Sequence, residues 1–174
     1  MQKNILAACF FSLLMGCGNT EQQQKVPQKY FDLKGYFLQE AARLNKTKPL
    51  VLKTVALNND IESKKLHIED WNKELANFSD ADINKSAWQG FFTVVKKEKE
   101  EVYTSNNDKV AVKELTVILK NNKISGIKIL LKTSNYIYQS TDTLSYFPDS
   151  LYEIRKTQKI RLLNTKKYNI KGIL

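Results

Sequence analysis

From Gly90 to Leu174 the chain runs as a series of β-rich segments whose links are too short to carry a crossover. The pattern predicts strands at 91–96, 101–104, 110–120, 124–132, 136–140, 144–147, 151–163 and 167–173. The links between them include Ser105-Asn106-Asn107-Asp108, Asn121-Asn122-Lys123, Pro148-Asp149-Ser150 and Asn164-Thr165-Lys166. A parallel neighbour needs a connection of a dozen or more residues, whereas a turn of a few residues can only return the chain antiparallel. The segments must therefore meander.

Upstream, the apolar period changes. Leu33, Phe37, Ala41 and Leu44 repeat at helical spacing, and Asn45 and Pro49 mark a stop. Leu50 to Leu57 reads as a strand, Asn58-Asn59-Asp60 as a turn, and 62–68 as a second strand. Ile68, Trp71, Leu75 and Phe78 then predict one short second helix, followed by an acidic turn over 79–85. The expected fold is α+β: a curved antiparallel meander sheet with the N-terminal helix and the short second helix packed on one face.

The residues leave little room for catalysis. The only histidine, His67, lies in "KKLHIED" at a strand end, and no Gly-x-Ser-x-Gly elbow exists to present a serine. Ser125 and Lys128 have the spacing of a Ser-x-x-Lys dyad, but on a strand that spacing sends the side chains to opposite faces. Asp80 and Asp82 lack the glycine turn and terminal glutamate of a calcium loop. The six glycines are scattered and form no phosphate-binding loop. Trp71 falls on the apolar stripe of the second helix, which assigns it to the core, and Trp88 follows it there. No catalytic residue, metal site or cofactor is expected, and the chain reads as non-enzymatic.

The N-terminus reads as an address. Lys3 precedes an apolar run from Ile5 to Met15 that ends at Cys17. About eleven residues span roughly 16 Å as a helix, too short for a bilayer core of about 30 Å. This is the form of a secretory signal peptide. Leu14-Met15-Gly16-Cys17 resembles the bacterial lipobox. That resemblance implies a diacylglyceryl group (palmitate among its acyl chains) on the Cys17 thiol, cleavage before Cys17 and acylation of the new amine. Gly18 stands where an aspartate would signal retention at the inner membrane. The resemblance therefore implies an outer-membrane lipoprotein facing the periplasm. The expected organisation is signal peptide at 1–16, lipidated Cys17 and a polar tether at 17–28, and one domain at 29–174. With Cys9 in the signal and Cys17 acylated, the mature domain has no thiol, so its stability rests on its core.

Charge is unevenly placed. The formal net charge is +10, and residues 120–174 hold 11 basic and 3 acidic residues, whereas 17–119 hold 16 and 15. Alternation puts Glu153, Arg155, Thr157, Lys159 and Arg161 on one strand face and Tyr152, Ile154, Ile160 and Leu162 on the other. Lys128 and Lys132 likewise oppose Ile127, Ile129 and Leu131. A basic outer sheet face over an apolar inner one follows. Nucleic acid is an improbable partner for an exported chain. The partners expected are the membrane, through the acyl chains on Cys17, and an anionic envelope polymer, lipid headgroups or an envelope protein, through Lys128, Lys132, Arg155, Lys159 and Arg161.

Two other roles compete with this docking module. One is a carrier, resembling lipoprotein half-barrels with helical plugs, whose apolar cavity Phe37, Leu44, Tyr136, Tyr138, Tyr146 and Tyr152 would line. The other is an unrecognised hydrolase. Asp142-Thr143-Leu144 and Asp149-Ser150-Leu151 resemble the Asp-Thr/Ser-aliphatic sites that some bacteria O-glycosylate after export, and both are expected at turns. Over "YFDLKGYFLQEAARLNK", "ADINKSAW" and "LSYFPDSLYEIRKTQKIRLL" the chain resembles a group of small, uncharacterised Gram-negative envelope lipoproteins. That resemblance carries fold and location but no functional residue.

Overall fold

The computed structural model describes residues 29–174. Helix α1 (Leu33–Thr47) starts where Asp32 accepts the Gly35 N–H at 2.8 Å, satisfying one of the free donors of the first turn. It ends where Lys48 turns left-handed (φ 45°) and returns its N–H to the Leu44 carbonyl. Its buried residues are Leu33, Phe37, Ala41 and Leu44, the stripe read from the sequence. Strands β1 (Leu50–Leu57) and β2 (Asp60–His67) form a hairpin. The expected single second helix is broken at Leu75 into α2 (Trp71–Glu74) and α3 (Ala76–Asp80). The break lets Trp71, Leu75 and Phe78 all reach the sheet; each is at most 1% exposed.

After a 3-10 turn at Ser86–Trp88, the strands follow as β3 (Thr93–Lys97), β4 (Glu100–Thr104), β5 (Val112–Lys120), β6 (Lys123–Ser134), β7 (Tyr138–Phe147), β8 (Leu151–Ile160) and β9 (Lys166–Ile173). Together they make an open, curled antiparallel sheet of order β2-β1-β9-β8-β7-β6-β5-β4-β3. Strands β3 to β9 meander as their short links require. The join of β9 to β1 is different in kind, pairing Val55 with Ile170 across most of the domain's length.

Most strand boundaries shift by a residue or two, and two differences are larger. The segments expected at 136–140 and 144–147 are one strand, β7, which runs through Asp142. Thr143 is therefore mid-strand, paired with Leu130 on one side and Arg155 on the other, not at a turn. Strand β8 stops at Ile160, so Leu162 leaves the apolar face and is 96% exposed.

The helices cover one sheet face. Tyr103, Leu115, Val117, Ile127, Ile129, Leu144, Tyr146, Tyr152 and Ile154 point into that layer and are buried. Phe37 packs on Phe78 and Tyr146 with ring centroids 4.9 and 5.2 Å away, and Trp71 meets Tyr152 edge-on at 5.9 Å. Full burial of each such ring contributes about 1.5–3 kcal/mol, the term that offsets chain ordering in a domain without a disulfide. Tyr152 lies flat across its cross-strand neighbour Gly172, where a Cβ would come within 2.1 Å of the ring. On the opposite face Phe147 covers Gly126 in the same way, at 2.7 Å.

Candidate functional site

The face without helices carries the cations. On β8, Arg155 and Lys159 project away from the helical layer while Tyr152 and Ile154 project into it. The register runs Lys128–Ser145–Glu153 and Lys132–Thr141–Thr157 across β6, β7 and β8, which puts Lys128 and Lys132 on the same outer face. Neighbouring strands are about 4.8 Å apart and alternate residues on one strand about 7 Å, so Lys128 and Arg155, and likewise Lys132 and Lys159, lie about 12 Å apart at the backbone, a little more than a Debye length. Strand β9 adds Lys167 and Lys171, opposite Thr157 and Glu153. The sequence reading passed over this pair, although the alternation of β9 signals it.

The five cations expected on that face are not equivalent. Arg155 Nη2 meets Glu153 Oε2 at 2.8 Å, which partly neutralises it. Lys128, Lys132 and Lys159 make no ion pair among the described residues. Arg161 lies beyond the end of β8, in the turn, with its guanidinium 4.6 Å from the Tyr136 ring centroid. It belongs to the sheet's end, not to its face.

The six residues expected to line one cavity do not come together. Phe37, Leu44, Tyr146 and Tyr152 fill the helix–sheet layer, each at most 1% exposed. Tyr138 lies at the start of β7, where its hydroxyl accepts from Gln158, and Tyr136 stands in solvent, 82% exposed. The curl brings the aromatic rings into mutual contact, so they pack against one another and not around a space.

Three buried phenols share one repeated device, and two of them, Tyr146 and Tyr152, tie a helix to the sheet. Tyr146 donates to Glu40 at 2.5 Å, and Glu40 also binds Arg43, which reaches Asp149. Tyr152 donates to Glu74 at 2.6 Å, and Glu74 binds Lys53 at 2.7 Å. Tyr103 donates to Glu101 at 2.5 Å, and Glu101 binds Lys96 at 2.9 Å. Each carboxylate is thus held between a phenol and a cation. Burial first, then the facing glutamate, pushes all three phenols well above the ordinary tyrosine range. The Tyr103 hydroxyl, and next Lys96, hold the Glu101 carboxyl below its usual range. Phenols held protonated in this way act as donors and pack; they supply no base at neutral pH.

The remaining candidates have local partners. The His67 ring bonds the carbonyls of Lys48 and Pro49. Ser125, at a bulge in β6, donates to the Ile118 carbonyl. Asp82 accepts the Asn84 N–H. Trp71 is wholly buried, whereas Trp88 is half-buried under Lys85. Among the described residues no group of three or more His, Cys, Asp or Glu converges as metal ligands, and no helix is long and apolar enough to cross a membrane. Thr143 faces outward in mid-sheet, while Ser150 is exposed in the β7–β8 turn. Cys17 lies outside the described residues.

Sequence reading missed the far ends of the strands. Tyr136 and Ile137 in the β6–β7 turn, and Leu162 and Leu163 in the β8–β9 turn, are 59–96% exposed. Adjacent apolar pairs between polar turn residues were the available signal. No family model, curated protein or solved structure matches the chain.

Proposed function

We propose that this chain is a membrane-anchored, non-enzymatic envelope lipoprotein that docks on an anionic surface through the helix-free, basic face of its sheet. The observation that carries the reading is the projection of Lys128, Lys132 and Lys159 from that one face without ion pairs, joined by Lys167 and Lys171, while the helices occupy the other face. Like charges this close repel one another, and an anionic partner relieves that repulsion. The anchor is the acylated Cys17, in the outer membrane and facing the periplasm. Two or more acyl chains hold a protein stably where one does not.

The anchor has a direct test. The natively expressed chain is expected to incorporate labelled palmitate and to sediment with membranes, and Cys17→Ala to carry no label. Retention of label in Cys17→Ala removes the anchor.

The face is tested on the full chain carrying Cys17→Ala, with dextran sulfate as the anionic polymer. Binding is expected at low salt and to fall steeply as salt rises. Lys128→Glu, Lys132→Glu and Lys159→Glu together should weaken it about tenfold or more, because three surface attractions become repulsions. All three side chains are exposed, so the melting temperature should hold. Equal binding by parent and triple variant, or none by either at low salt, overturns the docking reading.

A further inference from the structure

The end of the sheet formed by the β6–β7 and β8–β9 turns concentrates exposed apolar side chains. Tyr136 is 82% exposed, Ile137 59%, Leu162 96% and Leu163 62%. The two turns are neighbours, joined where the Arg161 N–H donates to the Ile137 carbonyl at 2.9 Å. Single exposed apolar residues are ordinary, but four together on adjacent turn tips mark an interaction site.

The tips are held, not loose. Asn135 Oδ1 accepts from the N–H groups of both Ile137 and Tyr138, at 3.0 and 2.8 Å, while the Asn135 N–H donates to the Tyr138 carbonyl. That turn leaves the Tyr136 and Ile137 side chains pointing out. In the other turn Leu163 N–H donates to the Ile160 carbonyl, and Leu162 takes a left-handed conformation with φ 68°. Leucine is poorly suited to that conformation, which favours glycine or asparagine. Leu162 is thus held in a strained backbone with its side chain almost wholly in water, two unfavourable choices at one residue.

A cluster of cations lies beside the tips. Lys159, Arg161, Lys166 and Lys167 are exposed, flank Leu162 and Leu163, and form no ion pair among the described residues. No Asp or Glu occurs at 133–141 or at 154–174. Of the carboxylates nearest this end, Asp142 on β7 is engaged by Lys156 at 3.1 Å, Asp60 begins β2 on the far side of β1 and β9, and Asp108 stands in the loop before β5. Exposed apolar tips beside a cluster of cations match an anionic bilayer: the leucines and isoleucine suit the acyl boundary, tyrosine the interface, and the cations the headgroups.

We propose that the paired tips Tyr136-Ile137 and Leu162-Leu163 insert into the headgroup region of an anionic phospholipid bilayer, with Lys159, Arg161, Lys166 and Lys167 on the headgroup phosphates. The inference rests on the docking reading and names its surface. The two fail separately, because the dextran sulfate probe has no apolar phase and the tip test changes leucines only, although Lys159 belongs to both the face and the tip cations.

The experiment uses the full chain with Cys17→Ala, with and without Leu162→Asp and Leu163→Asp. The probes are vesicles of phosphatidylglycerol and vesicles of phosphatidylcholine. Both chains share the same N-terminus, so its contribution cancels in the comparison. The unsubstituted tip should bind phosphatidylglycerol vesicles about tenfold or more tightly than the Asp variant, and lose most of that preference on phosphatidylcholine. Depth is read independently with Leu163→Trp and vesicles brominated in the acyl chains. The added indole should be quenched, while the parent, whose tryptophans are Trp71 and Trp88, should not. Equal vesicle binding by the two tips, or no quenching of Trp at 163, overturns the proposal. Loss of self-association in the Asp variant with vesicle binding unchanged would assign the tips to a second copy and overturn it also.

Discussion

Above pH 10 the folded domain is expected to lose stability at about 4 kcal/mol per pH unit through three fully buried phenols, with the raised phenol of Tyr36 adding to the slope. Tyr103, Tyr146 and Tyr152 are at most 2% exposed, and burial with a facing glutamate raises all three phenols above their ordinary range. In the unfolded chain a tyrosine ionises near pH 10. Between that value and the raised one, the unfolded state releases protons that the folded state keeps. The stability these phenols contribute is therefore fully present below about pH 10 and is lost as pH rises above it, about 1.4 kcal/mol per unit for each. Against a total of about 5–15 kcal/mol, the fold should fail within a few units. Urea unfolding between pH 8 and 12 measures the slope, on the order of the linkage just given. Tyr146→Phe should lower the slope by about 1.4 kcal/mol per pH unit. Phenolate absorbance from these three should rise only together with loss of the far-ultraviolet signal. Complete phenolate formation with the fold intact would sink this account.

Gly172→Ala is expected to destabilise the domain by about 3 kcal/mol or more, enough to lower its melting temperature visibly. A Cβ there would lie 2.1 Å from Cε1 and 2.5 Å from the hydroxyl oxygen of Tyr152. The ring is held in place, because Trp71 packs on it in a T-shaped contact and Glu74 holds its hydroxyl. The same substitution in a Tyr152→Ala background should cost under about 1 kcal/mol, since the obstructing ring is gone. A similar cost in both backgrounds would place the effect in the glycine backbone and not in the ring contact.

These two results concern the layer that the helices share with the sheet, and its physics bears on the docking reading. One face of the sheet is consumed by packing and by the three phenol–carboxylate–cation ties. Whatever the chain binds is left with the other face, the sheet edges, the turn tips and the outward surface of the helices.

What could be read from the chain alone is what depends on backbone geometry a few residues long. The stripe Leu33, Phe37, Ala41, Leu44 followed from the 3.6-residue period and is the buried stripe of α1. The sidedness of Lys128, Lys132, Arg155 and Lys159 followed from the two-residue period, because successive strand side chains must alternate whatever the strand pairs with. The meander followed from link length. Asp142 reads locally as a break, yet β7 runs through it, because Lys156 on β8 meets its carboxylate at 3.1 Å and Ser140 donates to it. The alternation of β8 extends in sequence to Leu163, but the strand stops at Ile160, where a turn anchored on Ile137 of the next hairpin sends Leu162 outward. The closure of β9 on β1 and the fit of Tyr152 over Gly172 join residues far apart in sequence or on different strands. Side-chain direction is a property of the local backbone, so sequence determined it. Where a strand ends, which rings collide and which apolar residues are left uncovered depend on what lies across the sheet, and only the tertiary structure decided those.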